Sequence, residues 1–173
     1  YKKYKRKLKK IKKDKPKDCL KVGIIGELYT TMEPFANYEL EKELAKEKIE
    51  IKRFTNLSYL LWQKPLLKRR MKRKVKKYCK YYLGADGLDN IYRTMYLGKR
   101  KYDGIIHIKP FGCTPEITAI PIIQKVCEDY NLPIIFFSYD SETATEGINT
   151  RLEAFKDLII LRRKNIEESI SRD

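Results

Sequence analysis

Apolar and polar positions repeat along this chain with two different periods, and the switches between them mark its elements. Leu20-Lys21-Val22-Gly23-Ile24-Ile25-Gly26 is an apolar run closed by glycine and predicts a strand. Pro34-Phe35-Ala36-Asn37 predicts the opening of a helix that runs to about Lys48, with Leu40 and Leu44 on one face. Ile49 to Phe54 alternates like a second strand. A long basic helix is predicted from about Ser58 to Tyr82, with Leu60, Leu67, Met71, Val75, Tyr78 and Tyr82 as its apolar stripe and Pro65 kinking it or marking its true start. Gly84-Ala85-Asp86-Gly87 ends it. Leu88, Ile91, Tyr92, Met95 and Tyr96 then predict a short amphipathic helix ending near Gly98.

Tyr102 to Ile108 predicts a third strand, followed by the loop Pro110 to Glu116 and a helix to about Tyr130. Leu132 to Ser138 is apolar throughout, as a centrally buried parallel strand is. After a polar loop from Tyr139 to Gly147, a final helix places Leu152, Phe155 and Ile159 inward. Strands alternating with helices predict an α/β class: a flavodoxin-like open parallel four-stranded sheet, order 2-1-3-4, with helices on both faces. Residues 19–165 make a single α/β domain on this reading, 1–18 a basic linker or helix end, and 166–173 a tail. In such sheets function collects beyond the carboxyl ends of the strands, here Gly26–Ala36, Lys109–Glu116 and Ser138–Gly147.

Composition narrows the class. The chain has 173 residues, of which 42% are hydrophobic and 36% charged, enough apolar matter for one packed interior. No apolar run approaches the roughly 20 residues that span a bilayer, and the charged start has no apolar stretch after it, so it is not a signal peptide. The chain lacks an initiator methionine and is expected to be part of a longer protein. Net charge is +16, and its placement is uneven. Residues 1–17 and 64–80 carry +10 each, so the remainder carries −4. Two short cationic segments raise nucleic acid, an acidic membrane or an acidic partner as ligands, against the plainer reading of a solvated helix face and a flexible junction.

Four cysteines, Cys19, Cys79, Cys113 and Cys127, show no CxxC and no regular spacing, and a reducing cytoplasmic setting is the expectation. Cys113 is the sharpest candidate. It stands between Gly112 and Thr114 in a proline-bracketed loop just before a helix, whose positive end favours the thiolate that binds metal. The alternative is a small, half-buried loop residue. Cys127 falls on an apolar stripe and belongs to the core, while Cys19 and Cys79 are bystanders. His107, the one histidine, lies in an apolar strand, where a hydrogen-bonded core role outweighs catalysis. Neither a Rossmann fingerprint nor a Walker loop is present, and Thr30-Thr31 is a weak phosphate-loop signal. Asp140, Glu142, Glu146, Arg151 and Glu153 predict an ion-pair network that steadies the last loop, with Arg151 pairing a loop carboxylate.

The segment Gly104-Ile105-Ile106-His107-Ile108-Lys109-Pro110-Phe111-Gly112-Cys113-Thr114-Pro115-Glu116-Ile117 resembles the DGVIHxxPFGCMPE segment of proteins related to the 2-hydroxyacyl-CoA dehydratases, the D-component-like superfamily. More narrowly, it resembles the acyl-CoA dehydratase activase-related (CoA-substrate-specific enzyme activase) proteins. Gly26-Glu27-Leu28-Tyr29 with Pro34-Phe35-Ala36-Asn37 is similar to that family's GE-I-Y and PFAN stretches, and Thr150 to Phe155 to its TRLEAF helix. The loop before TRLEAF departs from DExTGEAG, keeping only Asp140, Thr143 and Gly147, and Thr114 replaces the usual methionine.

The resemblance implies the carboxyl-terminal lobe of a two-lobed iron–sulfur protein. It implies a 4Fe-4S or double-cubane cluster between lobes, with Cys113 as the cofactor-binding and metal ligand from this lobe and no catalytic residue of its own. Iron in such clusters is held by cysteine sulfur. The implied partners are an amino-terminal lobe and an ATP-dependent activator, fused or separate, that delivers low-potential electrons for reductive chemistry. A homo-oligomer stays open, and neither nucleic acid nor membrane is an expected partner. The lone lobe is expected to be inactive. Two other readings compete: a nucleic-acid or acidic-partner binding module using residues 1–17 and 64–80, or a flavodoxin-like redox domain.

Overall fold

Four strands, β1 (Lys21–Gly26), β2 (Glu50–Arg53), β3 (Gly104–Pro110) and β4 (Ile134–Tyr139), pair in the order β2-β1-β3-β4, every pair parallel, in the computed structural model. The structure describes residues 2–12, 16, 18–141 and 143–170. Among the described residues seven α-helices accompany the strands: α1 (Lys2–Lys9), α2 (Leu28–Met32), α3 (Leu40–Lys46), α4 (Lys64–Val75), α5 (Gly87–Lys99), α6 (Thr114–Asp129) and α7 (Thr145–Ile170). Both the class and the strand order are those predicted.

Alternation along the strands divides the core into two layers. Val22, Ile24, Ile106 and Ile108 face α3 and α7, where Leu40, Leu44, Phe155 and Ile159 cover them. Ile25 and Ile105 face the opposite way, onto Met71, Val75, Ile91, Met95, Ile123 and Val126 of α4, α5 and α6. His107 shares that second direction on β3, which is how an imidazole comes to lie under α5 and α6. Burying each such aliphatic side chain contributes about 1.5–3 kcal/mol.

Several boundaries differ from expectation for local reasons. The helix expected from Pro34 begins at Leu40, because Tyr38 and Glu39 hold positive φ of 55° and 52° and interrupt it. Ahead of it lies an unanticipated short helix, α2, capped by the Glu27 carboxylate, which accepts from the Tyr29 and Thr30 N–H groups. The long basic helix is two pieces. A π-helical turn over Tyr59–Gln63 leads into α4, and Pro65 sits in the first turn of α4, where its missing N–H costs nothing. That helix ends at Val75, so Cys79 and Tyr82 follow it in a turn. Strand β4 is the edge of the sheet and only half-buried along its first three residues, while β3 is the central, buried strand. The final helix continues through most of the predicted tail to Ile170. Residues 13–15 and 17 of the basic lead-in, Glu142 of the acidic loop and residues 171–173 lie outside the described residues.

Candidate functional site

The carboxyl ends of β1, β3 and β4 are laced together by two backbone hydrogen bonds and one from a side chain. Glu27 N–H donates to Ile108 O at 3.0 Å, Phe111 N–H to Tyr139 O at 2.9 Å, and the Tyr38 hydroxyl to Thr143 O at 2.8 Å. Gly26 closes β1 with φ of 143°, and a Cβ there would stand 1.8 Å from Ile108 O. Only glycine permits this approach of the two strand ends. The three loops singled out in the sequence therefore meet at one edge.

Cys113 stands on that edge. Phe111-Gly112-Cys113 makes the bend, closed by Cys113 N–H donating to Pro110 O at 3.2 Å, and Cys113 then serves as N-cap of α6, its carbonyl accepting from Ile117 N–H at 2.9 Å. Its side chain is half-buried rather than turned into the core. Cys113 makes no side-chain cap hydrogen bond, and the backbone N–H of Glu116 in the first helical turn acts on the thiol only by lowering its pKa. Burial nevertheless pushes the thiol above its ordinary pKa, and the Glu116 and Glu27 carboxylates add to the rise, against the lowering by the Glu116 N–H and Lys109. The expectation that the helix end favours the thiolate is thus corrected: desolvation exceeds the helix contribution at this site.

Beneath the bend lies a buried polar cluster. Glu116 is fully buried, and Asn90 Nδ2 donates to both its carboxylate oxygens at 2.9 and 3.0 Å as well as to Gly26 O at 2.9 Å. His107 Nε2 lies 2.7 Å from Glu116 Oε2, the geometry of an imidazole donating to the carboxylate, and Nδ1 has no partner among the described groups. Asn90 Oδ1 in turn accepts from Arg93 Nη1 at 3.0 Å, and Arg93 also reaches Thr55 and stacks on the Tyr59 ring. Tyr59 donates to Asp89 at 3.1 Å, and Lys64 closes the chain on Asp86 and Asp89 at 2.9 and 3.0 Å. Burial raises the Tyr59 pKa, with Asp89 assisting. This cluster ties β1, α5, β3 and α6 to the residue that caps the cysteine bend. It can hold the bend rigid.

His107 is the hydrogen-bonded core residue it was expected to be. Asn90, Arg93 and Glu116 were not singled out. Asp89, Asn90, Arg93 and Thr94 form an i, i+1, i+4, i+5 stripe that is the polar face of an amphipathic helix, and that stripe was the available signal. The other predicted residues do not join Cys113. Cys127 is in the core, its thiol pushed up to about 12 by burial, and Cys79 donates to Tyr81 O. Cys19 precedes β1 at the opposite edge of the sheet. Thr30 and Thr31 are buried, with their hydroxyls donating to Glu27 and Leu28 O, so neither is offered to a phosphate. Arg151 donates to Phe136 O at 2.7 Å and lies over the Phe137 ring, and Glu142 of the expected network lies outside the described residues. Among the described residues no group of three or more His, Cys, Asp or Glu could hold a metal, so Cys113 is a single potential ligand. No described helix is long and apolar enough to cross a membrane.

A parallel α/β domain whose third strand ends in a cysteine-capped helix is the class that fold and edge define. Residues 61–159, more than half of the chain and the span holding Asn90, His107, Cys113 and Glu116, match the family model of the 2-hydroxyglutaryl-CoA dehydratase D-component. The chain belongs to that family. No curated protein matches it. Among solved structures it is similar to the solution structure of a phosphate-loop protein, at 18% identity over 72% of this chain and 82% of that one, with a TM-score of 0.35.

Proposed function

We propose that this chain is the carboxyl-terminal lobe of an iron–sulfur protein related to the 2-hydroxyacyl-CoA dehydratases and their activase-related proteins, and that Cys113 is the cluster ligand it contributes. The observation that carries the reading is Cys113 itself: a half-exposed thiol on a stiff bend at the edge of the sheet, at the N-terminus of α6. The donor type fits such a cluster, whose remaining ligands on this reading come from another lobe. Phe35 and Phe111 stand 89% and 69% exposed in the loops of the same edge, an apolar rim that a second lobe would cover.

When bound, the cluster supplies one-electron chemistry at low potential, with electrons delivered by an ATP-dependent activator. This chain's residues present the sulfur, keep its bend in place through the Glu116–Asn90–His107 cluster, and offer the apolar rim that excludes water. A flavodoxin-like reading gains nothing from Thr30 and Thr31, whose hydroxyls are already engaged. Anaerobic reconstitution of the complete gene product with iron and sulfide tests the proposal. Cys113→Ala is expected to lower bound iron and acid-labile sulfide and to bleach the visible chromophore. Unchanged iron, sulfide and colour in that variant would reject the ligand role.

A further inference from the structure

The end of α4 and the turn after it form a cleft of about 380 Å³ that the dehydratase-related reading leaves without a role. Lys72, Arg73, Lys76 and Lys80 line it together with Tyr81 and Tyr82, above a floor of Cys79 and Leu88. Tyr81 is 82% and Tyr82 56% exposed, and the Cys79 thiol donating to Tyr81 O pins the turn that displays them. Lys72 and Lys68 set their ammonium groups 4.4 and 5.5 Å from the centre of the Tyr82 ring. Residues 64–80 contain no acid at all.

We propose that this cleft binds single-stranded nucleic acid, the four cations holding backbone phosphates while Tyr81 and Tyr82 stack bases. Exposed tyrosine rings interleaved with lysines are the two parts that sequence-tolerant recognition of unpaired strands requires: an electrostatic track and a stacking platform. The four cations far exceed the roughly half negative charge at the carboxyl end of α4. An anionic membrane would need an apolar face to insert, yet beside the cleft Met71 and Val75 of α4 are spent in the core, and the exposed Trp62 and Leu66 lie at the opposite end of that helix. An acidic polypeptide would use the cations and leave the rings idle. A duplex keeps its bases stacked on each other, away from both rings. The proposal departs from the expectation that nucleic acid is not a partner, and it stands whether or not Cys113 binds iron.

Fluorescence anisotropy of the 173-residue chain with labelled oligothymidylate and oligouridylate tests it. Four phosphate contacts on a single strand predict a log–log salt slope near −3, or about a 50-fold loss of affinity on raising salt fourfold. Lys72→Gln, Lys76→Gln and Lys80→Gln together should flatten the slope by about 2. The pair Tyr81→Ala and Tyr82→Ala should weaken binding about tenfold or more while leaving the slope unchanged. All five positions are on the surface or in an exposed turn, and unchanged circular dichroism confirms the fold of each variant. The proposal is overturned by no binding at low salt, by equal affinity for a duplex of the same length, or by tyrosine variants that bind as wild type. Displacement by polyglutamate at equal charge would assign the cleft to acidic protein, and tighter binding to anionic vesicles would assign it to membrane; either also overturns it.

Discussion

Replacing Glu116 with alanine removes the acceptor on which the cluster under the cysteine bend converges. Asn90 Nδ2 and His107 Nε2 both lose a partner in a site that water does not reach, since Glu116, Asn90 and His107 are all fully buried. A hydrogen bond to a charged group contributes about 1.5–3 kcal/mol, and a buried donor left without a partner forfeits about 1–3 kcal/mol. Two such donors orphaned together cost about 3–5 kcal/mol in total. We therefore expect Glu116→Ala to lose about 3–5 kcal/mol, a large fraction of the roughly 5–15 kcal/mol ordinary for a domain. Glu116→Gln keeps the shape and one acceptor oxygen, and should lose less than half as much. The pair His107→Phe with Glu116→Met removes both ends of the contact and should be less damaging than Glu116→Ala alone, because apolar groups of similar shape leave fewer orphaned donors. Equilibrium urea unfolding followed by far-ultraviolet circular dichroism measures all three. A Glu116→Ala midpoint corresponding to less than about 1 kcal/mol of loss, with an unchanged m-value, would show that the cluster does not hold this edge together.

The remaining predictions are compact. Gly26→Ala should fail to accumulate folded protein, because the new Cβ meets Ile108 O at 1.8 Å and φ is 143°; a cooperative melt near the wild-type temperature would contradict this. Alkylation by iodoacetamide should reach Cys113 well before Cys127, whose thiol burial holds at about 12, and the Cys113 rate should still be climbing beyond pH 9 because its own thiol is raised; mass spectrometry of timed samples reads the order. For Lys64, burial lowers the pKa, but Asp86 and Asp89 raise it more, and the net shift is upward. A base with a raised folded pKa contributes stability below its unfolded value near about 10.4 and loses it as pH rises past the folded one. Lys64→Met should accordingly flatten the alkaline decline in melting temperature, and an identical decline in both proteins would refute the link.

The amino-acid sequence by itself determined the alternation of four apolar runs with amphipathic helices, and hence a parallel sheet with helices on both faces. It also marked the strand-end loops and Cys113, because a cysteine between Gly112 and Thr114 ahead of a helix is a local pattern. Local patterns carry local structure, since period and turn chemistry act within a few residues. Tertiary structure alone decided the rest. Asn90 and Glu116 are 26 residues apart, and only the packing of α5 on α6 makes one the partner of the other. That same packing turns a polar helix stripe inward, where one-dimensional periodicity would leave it to solvent. Whether Cys113 keeps its proton is likewise a tertiary outcome, because desolvation depends on every neighbour the fold supplies, while the helix end that favours the thiolate is written in the next three residues.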